Sequence, residues 1–487
     1  MPPDTGFDAS IDAIFRPIAK GFSDIVFFAV PIGDTEVPWV VAWLVAGAVF
    51  CTVYFRFINL RAFGHALRLV RGDFDNPDDP GDVSHFRALT TAVSGTVGVG
   101  NIAHVAIAIS VGGPGAAFWL VVAGLLGMSS KFVECTLGVM YRRENPDGTM
   151  SGGPMYYLQR GLAELGWPRL GRALGIYYAA CVIIGCLGVG SMFQSNQAYV
   201  QMVTSTGGPE SWLAGRGFAV GLVLAVLVAL VIVGGIQSIA RVTSRLVPFM
   251  VVLYVGTALF VIAANASELP WAIRAVVVGA FRPEGVAGGA LGVLILGFRR
   301  AAFSNEAGIG SASIAHAAAR TREPVSEGIV ALLEPFIDTV VICSITALVI
   351  TVTVYDPSAP VGNVSGVELT SSAFASVVPW FPIPLAVVVV LFAFSTMIAW
   401  SYYGLAGWLY LFGPSRVAKS VWNAIFCVSV VLGCVTQLES VLDFSDATVF
   451  AMALANILGL YLLAPIVKRE LDTYLAKVRS GEIAPRR

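Results

Sequence analysis

The sequence predicts an all-α polytopic membrane protein with eleven transmembrane helices. Three observations predict this fold class: 56% of the 487 residues are apolar, only 13% carry a charge, and long apolar runs recur along the chain. An average soluble domain has about 25% charged residues. A helix that crosses the hydrocarbon core of a bilayer needs about 20 apolar residues. We therefore expect a protein that is embedded in the lipid bilayer, and not a soluble enzyme.

Charge and motif content exclude several further classes of function. The net charge of −1 gives no basic excess for a nucleic-acid partner. The four histidines and seven cysteines show neither HExxH nor CxxC spacing, so a metalloenzyme has no support in the sequence. The nucleotide-binding pattern GxxxxGK[ST] is also missing, which argues against pumping driven by ATP. We therefore predict no enzymatic activity.

The eleven predicted spans are apolar runs separated by polar or basic loops. They cover about 37–55, 89–111, 116–141, 173–203, 217–236, 246–264, 285–312, 326–354, 384–412, 417–435 and 441–467. Segment 1–36 lacks the basic start and cleavage site of a signal peptide. It carries isoleucine and phenylalanine at helical spacing, which predicts an amphipathic helix at the membrane interface.

The distribution of basic residues predicts the orientation in the membrane. With the N-terminus outside, 22 of the 30 Lys and Arg fall in inner loops, at the inner end of a span (Lys419) or in the C-terminal tail, and five lie outside. An odd number of spans is needed for an outer N-terminus and a cytoplasmic C-terminus, which agrees with eleven. The chain then divides into an extra helix with its cytoplasmic loop at 37–85, two five-helix repeats at 86–265 and 266–467, and a cytoplasmic tail at 468–487.

The second and seventh predicted spans each contain an interruption at membrane depth. The second span contains VGVGN at 97–101, and the seventh contains FSNEAGIG at 303–310. Glycine makes the helix easy to unwind there, and an unwound stretch must face protein or a wet cavity. Freed carbonyls suit a cation and helix N-termini suit a carboxylate, which together favour a zwitterionic substrate with a coupling cation. Close helix packing through glycine is the alternative explanation.

The position of the two interruptions favours an inverted repeat. Spans two to six and seven to eleven form two sets of five, and each set opens with its interrupted helix. Because five is odd, the two sets have opposite orientations in the membrane. The binding site is then expected at the midplane, between the two breaks.

Longer motifs resemble a known family. ALTTAVSGTVGVGNIAHVAIAISVGGPGAAFW, FRRAAFSNEAGIGSASIAHAAA and FAFSTMIAWSYYG resemble the alanine or glycine:cation symporters of prokaryotes, over about residues 85–465. The resemblance implies sodium-coupled uptake of a small neutral amino acid across the cell (inner) membrane, on the five-plus-five fold of the neurotransmitter:sodium symporters. Three positions depart from the family pattern, with His104 in place of a glycine, Val99 in place of a threonine, and Leu405 in place of an acidic residue.

The resemblance also implies candidate residues for the substrate. Backbone amides at the first break would hold the carboxylate. Independently of the resemblance, polar side chains at three- and four-residue spacing form a stripe on the fourth span, and its central glutamine, Gln194, is predicted to contact the substrate, with interhelical hydrogen bonding as the alternative. Apolar side chains of the second break would limit the size of the pocket, although they could equally be ordinary packing residues. The predicted substrate-binding residues are Gly98, Gly100, His104, Gln194, Phe303, Ile309, Thr396 and Trp400.

Sodium is the expected coupling ion. Its predicted ligands are Thr96, Asn101, Ser304, Asp338, Ser395 and Thr396. Serine and threonine could instead bond to carbonyls of their own helix. For Asp338, an ion pair with Arg299 or Arg300 is the alternative.

Other questions stay open at this stage. Lys131 and Glu134 are three residues apart and predict a local ion pair. His104 either faces the pocket or packs against a neighbouring helix. A proton-coupled carrier and an amino-acid-sensing receptor without transport activity are the two alternative functions.

Overall fold

The computed structural model describes residues 7–32, 35–145, 148–282, 288–356 and 366–485, with the backbone alone for 7–14 and 32. Helices make up nearly all of this structure. Two short antiparallel hairpins are the exception: β1 (Ala29–Ile32) pairs with β2 (Thr35–Pro38), and β3 (Arg143–Glu144) pairs with β4 (Met150–Ser151). The all-α fold class is therefore confirmed.

The first half of the chain contains twelve described helices, and a π-helical turn at Gly188–Met192 joins the ninth to the tenth. These helices are α1 (Phe7–Val26), α2 (Trp39–Tyr54), α3 (Ile58–Arg61), α4 (Phe63–Val70), α5 (His85–Thr96), α6 (Gly100–Gly112), α7 (Gly115–Met140), α8 (Pro154–Glu164), α9 (Pro168–Leu187), α10 (Phe193–Ser205), α11 (Gly217–Ile232) and α12 (Gly235–Ala264).

The second half contains ten described helices, with a π-helical segment at Phe336–Cys343. They are α13 (Leu269–Phe281), α14 (Gly289–Asn305), α15 (Ala312–His316), α16 (Pro324–Ala331), α17 (Leu333–Pro335), α18 (Ser344–Thr353), α19 (Val367–Ala375), α20 (Pro382–Phe412), α21 (Arg416–Val435) and α22 (Leu438–Ser480). Short 3₁₀ turns lie at Gly208–Glu210 and Ala266–Glu268.

Many of these helices have the length and composition of membrane spans. Within the described ranges, eight helical segments are long and apolar enough to cross a bilayer, and α2 and α11 are shorter apolar helices. The protein is thus a multi-pass membrane protein. The count of eleven spans, the inverted repeat and the division at 86–265 and 266–467 stay predictions.

The last helix is longer than the predicted span. α22 continues without interruption past Val467 to Ser480, so the predicted tail begins as a helix. Leu471 and Tyr474 are buried there, and Lys468 forms an ion pair with Asp472 one turn later, at 2.8 Å. The buried residues and the i,i+4 ion pair therefore stabilise the helix beyond Val467, where the apolar run in the sequence ends.

Helix α7 forms the centre of the packing. It contacts α2, α14, α15 and α16, and small residues allow the close approach. A Cβ on Gly328 of α16 would lie 2.6 Å from the carbonyl oxygen of Phe132, and one on Gly297 of α14 would lie 2.8 Å from that of Ala116. These close contacts hold α14 and α16 against α7.

The N-terminal helix α1 packs along α22. Phe15 meets Phe444 with 5.1 Å between ring centroids, in an edge-to-face arrangement. The helical prediction for this segment is confirmed, and its location at the membrane interface stays a prediction. The side chains of residues 7–14, on which part of that prediction depends, lie outside the described residues.

Candidate functional site

The first break separates α5 from α6 at residues 97–99, as the sequence predicts. Side chains satisfy the amides that the break leaves free. The amide of Gly98 donates to Oδ1 of Asn101 at 2.9 Å, and the amide of Val99 donates to Oε1 of Gln194 at 3.3 Å. The structure therefore places Gln194 at the break, while the Gly98 amide that was predicted to hold a carboxylate is bonded to Asn101.

Gly98 lies against α20. A Cβ at this position would collide with Oγ1 of Thr396 and would lie 3.3 Å from Oε1 of Gln194. Thr396 in turn donates to the carbonyl of Ser94 at 3.0 Å, and Ser94 donates to the carbonyl of Ser395 at 2.7 Å. These contacts fasten α20 to the end of α5.

Two predicted sodium ligands bond within their own helices. Ser395 donates to the carbonyl of Phe392 at 2.9 Å, and Thr96 donates to the carbonyl of Val93 at 3.3 Å. This is the alternative that the sequence left open for hydroxyls in membrane helices. Thr396 differs from both, because its hydroxyl reaches across to α5.

The second break separates α14 from α15 at residues 306–311. Its backbone takes positive φ at Glu306 (55°), Gly308 (86°) and Gly310 (91°), a conformation that only glycine adopts without strain. The carboxylate of Glu306 accepts hydrogen bonds from the Ser311 hydroxyl and from Nε1 of Trp400, the latter at 3.0 Å. Glu306 thereby holds the unwound segment against α20.

Trp400 connects the two breaks. Its Nε1 lies 3.0 Å from Oε1 of Glu306 and 3.2 Å from the carbonyl oxygen of Gly95, at the end of α5. A Cβ on Gly190, in the π-helical turn before α10, would lie 2.5 Å from Cβ of Trp400. This tryptophan of α20 therefore contacts the end of α5, the π-helical turn before α10 and the second break.

A buried cluster of oxygen atoms joins the first break to α14 and to the π-helical segment. Nδ2 of Asn101 donates to Oδ1 of Asp338 at 2.6 Å and to Oγ of Ser304 at 3.1 Å. Ser304 and Thr339 both donate to Oδ2 of Asp338, at 2.8 Å and 2.6 Å. Three predicted sodium ligands, Asn101, Ser304 and Asp338, are thus in direct contact, and all are buried.

The predicted ion pair of Asp338 with Arg299 or Arg300 is wrong. Both guanidinium groups bind Asp446 of α22 instead, at 2.7 Å and 3.2 Å. The two arginines precede Ser304 by about one helical turn. At that depth they contact α22, where Asp446 compensates their charge. Asp338 instead bonds to Asn101 and Ser304 in the polar cluster.

The predicted local pair of Lys131 and Glu134 is also wrong. Lys131 forms its ion pair with Glu334 of α17 at 3.0 Å, and both side chains are fully buried. Oε1 of Glu134 accepts instead from Nδ2 of Asn456 at 2.7 Å. Lys131 therefore connects two helices rather than neighbouring turns of one.

His104 contacts both the aromatic wall and a charged group. Its ring stacks on Phe303 with 3.8 Å between centroids and meets the edge of Phe193 at 4.7 Å. Nδ1 accepts from Arg300 at 3.2 Å, because a guanidinium can only donate. Nε2 is buried and has no hydrogen-bond partner among the described residues. His104 thus packs against α14 and also keeps one polar atom free.

The remaining predicted substrate residues lie close to the breaks. Phe303 is buried, and a Cβ on Gly100 would lie 3.8 Å from its ring, so the ring covers the start of α6. Ile309 is fully buried in the second break, where its carbonyl accepts from the hydroxyl of Tyr178 at 3.0 Å. Sequence reasoning missed Thr339, although a hydroxyl adjacent to Asp338 was a usable signal.

Apolar spanning helices, two of them broken at adjacent points around buried polar groups, define the class of protein as a membrane transporter. The fold resembles that of MhsT in complex with L-phenylalanine, with a TM-score of 0.56 and 14% identity over 77% of this chain and 88% of that one. At this identity the likeness shows the fold alone.

Residues 28–486 match the sodium:alanine symporter family, and the chain belongs to this family. It is therefore a symporter and not an enzyme. Sodium/alanine symporter AgcS of Methanococcus maripaludis is 35% identical over 91% of this chain and 96% of its own length. Probable sodium/glutamine symporter GlnT of Bacillus subtilis is 32% identical over 90% of this chain and 88% of its own length.

Proposed function

We propose that this protein takes up a small neutral amino acid such as alanine or glycine together with sodium, by alternating access, with its N-terminus outside and its C-terminus in the cytoplasm. The contact of Asn101 with Ser304 and Asp338 carries this proposal. It joins the first break to the helix of the second break through oxygen-rich side chains at one buried point. A cation bound there would couple the two halves of the site.

The donor set fits a hard cation. Carboxylate, hydroxyl and amide oxygens are the ligands that such ions prefer, and Asp338 supplies a formal negative charge. Asn101 directs its nitrogen at Asp338 and its oxygen at the Gly98 amide. Sodium binding requires the Asn101 amide to turn, so that its oxygen faces the ion. This turn would also free the Gly98 amide for a substrate carboxylate, which would link the two binding events.

The surroundings of the first break favour a small side chain. Phe303 covers the start of α6, and the ring of His104 stacks on Phe303. Both rings occupy volume next to the predicted pocket. AgcS is named a sodium/alanine symporter and GlnT a probable sodium/glutamine symporter, so the family accommodates side chains of different size. The free Nε2 of His104 would additionally donate to a polar group on the substrate.

Proton coupling is the second candidate function, because a buried carboxylate such as Asp338 can take up a proton in place of a cation. Uptake of labelled alanine into proteoliposomes, with and without an inward sodium gradient at constant pH, separates the candidates. We expect accumulation only with the sodium gradient. Equal uptake without sodium would support proton coupling, and binding without uptake would support the receptor.

A further inference from the structure

A second buried cluster lies apart from the breaks, at the end of α5 that is predicted to face the cytoplasm. It consists of five ionisable side chains in a row, which we term the inner polar chain: His85, Glu327, His316, Glu334 and Lys131. Nδ1 of His85 bonds to Oε2 of Glu327, and Nδ1 of His316 bonds to Oε1 of the same carboxylate at 2.6 Å. Lys131 closes the row through its ion pair with Glu334 at 3.0 Å.

The inner polar chain connects parts that alternating access would have to separate. His85 begins α5 and His316 ends α15, so each belongs to one of the two broken helices. The carboxylates belong to α16 and α17, and Lys131 belongs to the central helix α7. The row therefore fastens one half of each broken helix to the surrounding helices.

The charges of the row do not balance without a proton on a histidine. Lys131 compensates Glu334, which leaves Glu327 with the two imidazoles as its hydrogen-bonded partners. All five side chains are at most 5% exposed, and an uncompensated charge is costly in such a place. One imidazolium makes the row neutral, and histidine is the side chain that exchanges a proton near neutral pH.

Charged groups from the neighbouring elements also act on the row. Asp75, from the loop before α5, lies 4.0 Å from Nε2 of His85. Arg142, from the loop after α7, interacts electrostatically with Glu327 and donates to the carbonyls of Ala317 and Ala319 at 2.9 Å and 2.6 Å. The other titratable groups that act on members of the row are Glu134, Cys135, Glu306, Asp338 and Tyr403.

The inner polar chain contains one contact that is too long for a hydrogen bond, and its His85 end lies near the protein surface. Nε2 of His316 and Oε2 of Glu334 are 3.7 Å apart, and neither atom has a hydrogen-bond partner among the described residues. A proton on His316 would draw these two atoms together. At the other end, the side chain of Asp75 is 42% exposed and lies beside His85, so a proton can enter from the surface.

We propose that the inner polar chain is a proton-binding site that controls opening of the transporter toward the cytoplasm. With a proton bound, an imidazolium compensates Glu327 and holds α5 and α15 against α16. When the proton leaves, both hydrogen-bonded partners of the buried Glu327 carboxylate are neutral and only Arg142 acts on it from the loop after α7, so opening to water lowers the cost of its charge. A more alkaline cytoplasm would therefore favour inward opening. The proposal rests on the transport function proposed above.

Transport measurements test the site directly. Proteoliposomes receive an inward sodium gradient at constant external pH, with the internal pH set between about 7 and 9.5 and the membrane potential clamped. In molecules inserted in the opposite orientation, the inner polar chain faces the constant external pH. Their contribution to the uptake rate therefore does not change with the internal pH. We expect the initial uptake of alanine to be several-fold slower at the lower internal pH. The double variant His85→Gln/His316→Gln should lose this dependence, because glutamine keeps a hydrogen bond but does not titrate.

His65→Gln is the matched control. His65 bonds to the hydroxyl of Tyr474 at 2.8 Å and is not part of the inner polar chain, so this variant should keep the wild-type pH profile. A flat wild-type profile, or an unchanged profile in the double variant, would overturn the proposal. Internal acidification in proportion to alanine uptake, measured with a trapped pH dye, would also overturn it, because the proton would then be cargo.

A second measurement does not depend on transport. Hydrogen–deuterium exchange of the wild type in nanodiscs, corrected for the intrinsic effect of pH, should show faster exchange in α15 at the more alkaline pH. The double variant should show no such difference. Absence of sodium-driven uptake at every pH would refute the proposed function, whereas pH-independent exchange in the wild type would refute the proton site itself.

Discussion

Replacement of Asp338 by asparagine removes the one formal charge of the Asn101–Ser304–Asp338 cluster while keeping its shape. A cation held between the carboxylate and its hydrogen-bond partners, which lie 2.6 and 2.8 Å away, would be within about 4 Å of the charge centre. At that distance the attraction is worth about 4 kcal/mol for a typical effective dielectric constant. Since about 1.4 kcal/mol corresponds to a tenfold change in affinity, the upper limit is about a thousandfold loss.

The measured loss should be smaller than this limit, because asparagine keeps one oxygen and no longer pays for burial of a bare charge. We expect Asp338→Asn to raise the sodium concentration for half-maximal alanine uptake by at least about tenfold. Glu134→Gln is the matched control, since Glu134 is also buried and accepts from an asparagine, Asn456. Unchanged sodium activation in Asp338→Asn, or an equal loss in Glu134→Gln, would refute the assignment of Asp338 to the cation site.

Three further variants test other contacts of the site. Gly98→Ala should abolish uptake because its Cβ collides with Thr396, and the double variant Gly98→Ala/Thr396→Ala should restore part of the activity. If uptake assays show no rescue, the backbone itself needs glycine at this position. His104→Gly should widen the range of accepted amino acids in a competition panel, whereas an unchanged order of selectivity would remove His104 from the pocket. Lys131→Met should lower the free energy of unfolding by about 3–5 kcal/mol, because Glu334 loses its buried ion pair. Thermal unfolding in detergent should show a lower midpoint, and an unchanged midpoint would contradict this.

The positions of both breaks could be predicted from the sequence, and the reason is local. Gly98 and Gly100 in the first break, and Gly308 and Gly310 in the second, are glycines within apolar runs, next to polar side chains. Unwinding at membrane depth needs this combination, because the backbone must bend and its freed groups must find partners. Local composition therefore identifies the two places where the helices end.

The partners of the buried charges could not be predicted in the same way. Asn101 and Asp338 are 237 residues apart in the chain, and so their contact depends on how the helices are arranged. The sequence offered Arg299 and Arg300 as partners for Asp338, because a buried acid needs compensation and these bases were the nearest in the spans. In the structure both arginines bind Asp446 on α22 instead. The charge pattern of the sequence did not single out that helix.

The irregular helical segments explain why Asp338 reaches the site. Asp338 lies in the π-helical segment Phe336–Cys343, which follows Pro335. A π-helical turn contains an extra residue, which shifts the side chains that follow to a different face of the helix, and such turns are frequent at functional sites. The periodicity of a regular helix therefore does not predict the direction of Asp338. The same limitation applies at Gly188–Met192, where the second π-helical turn directly precedes the helix that carries Gln194 to the first break. Both irregular turns thus place polar side chains at the breaks, where a regular helix would follow a different register.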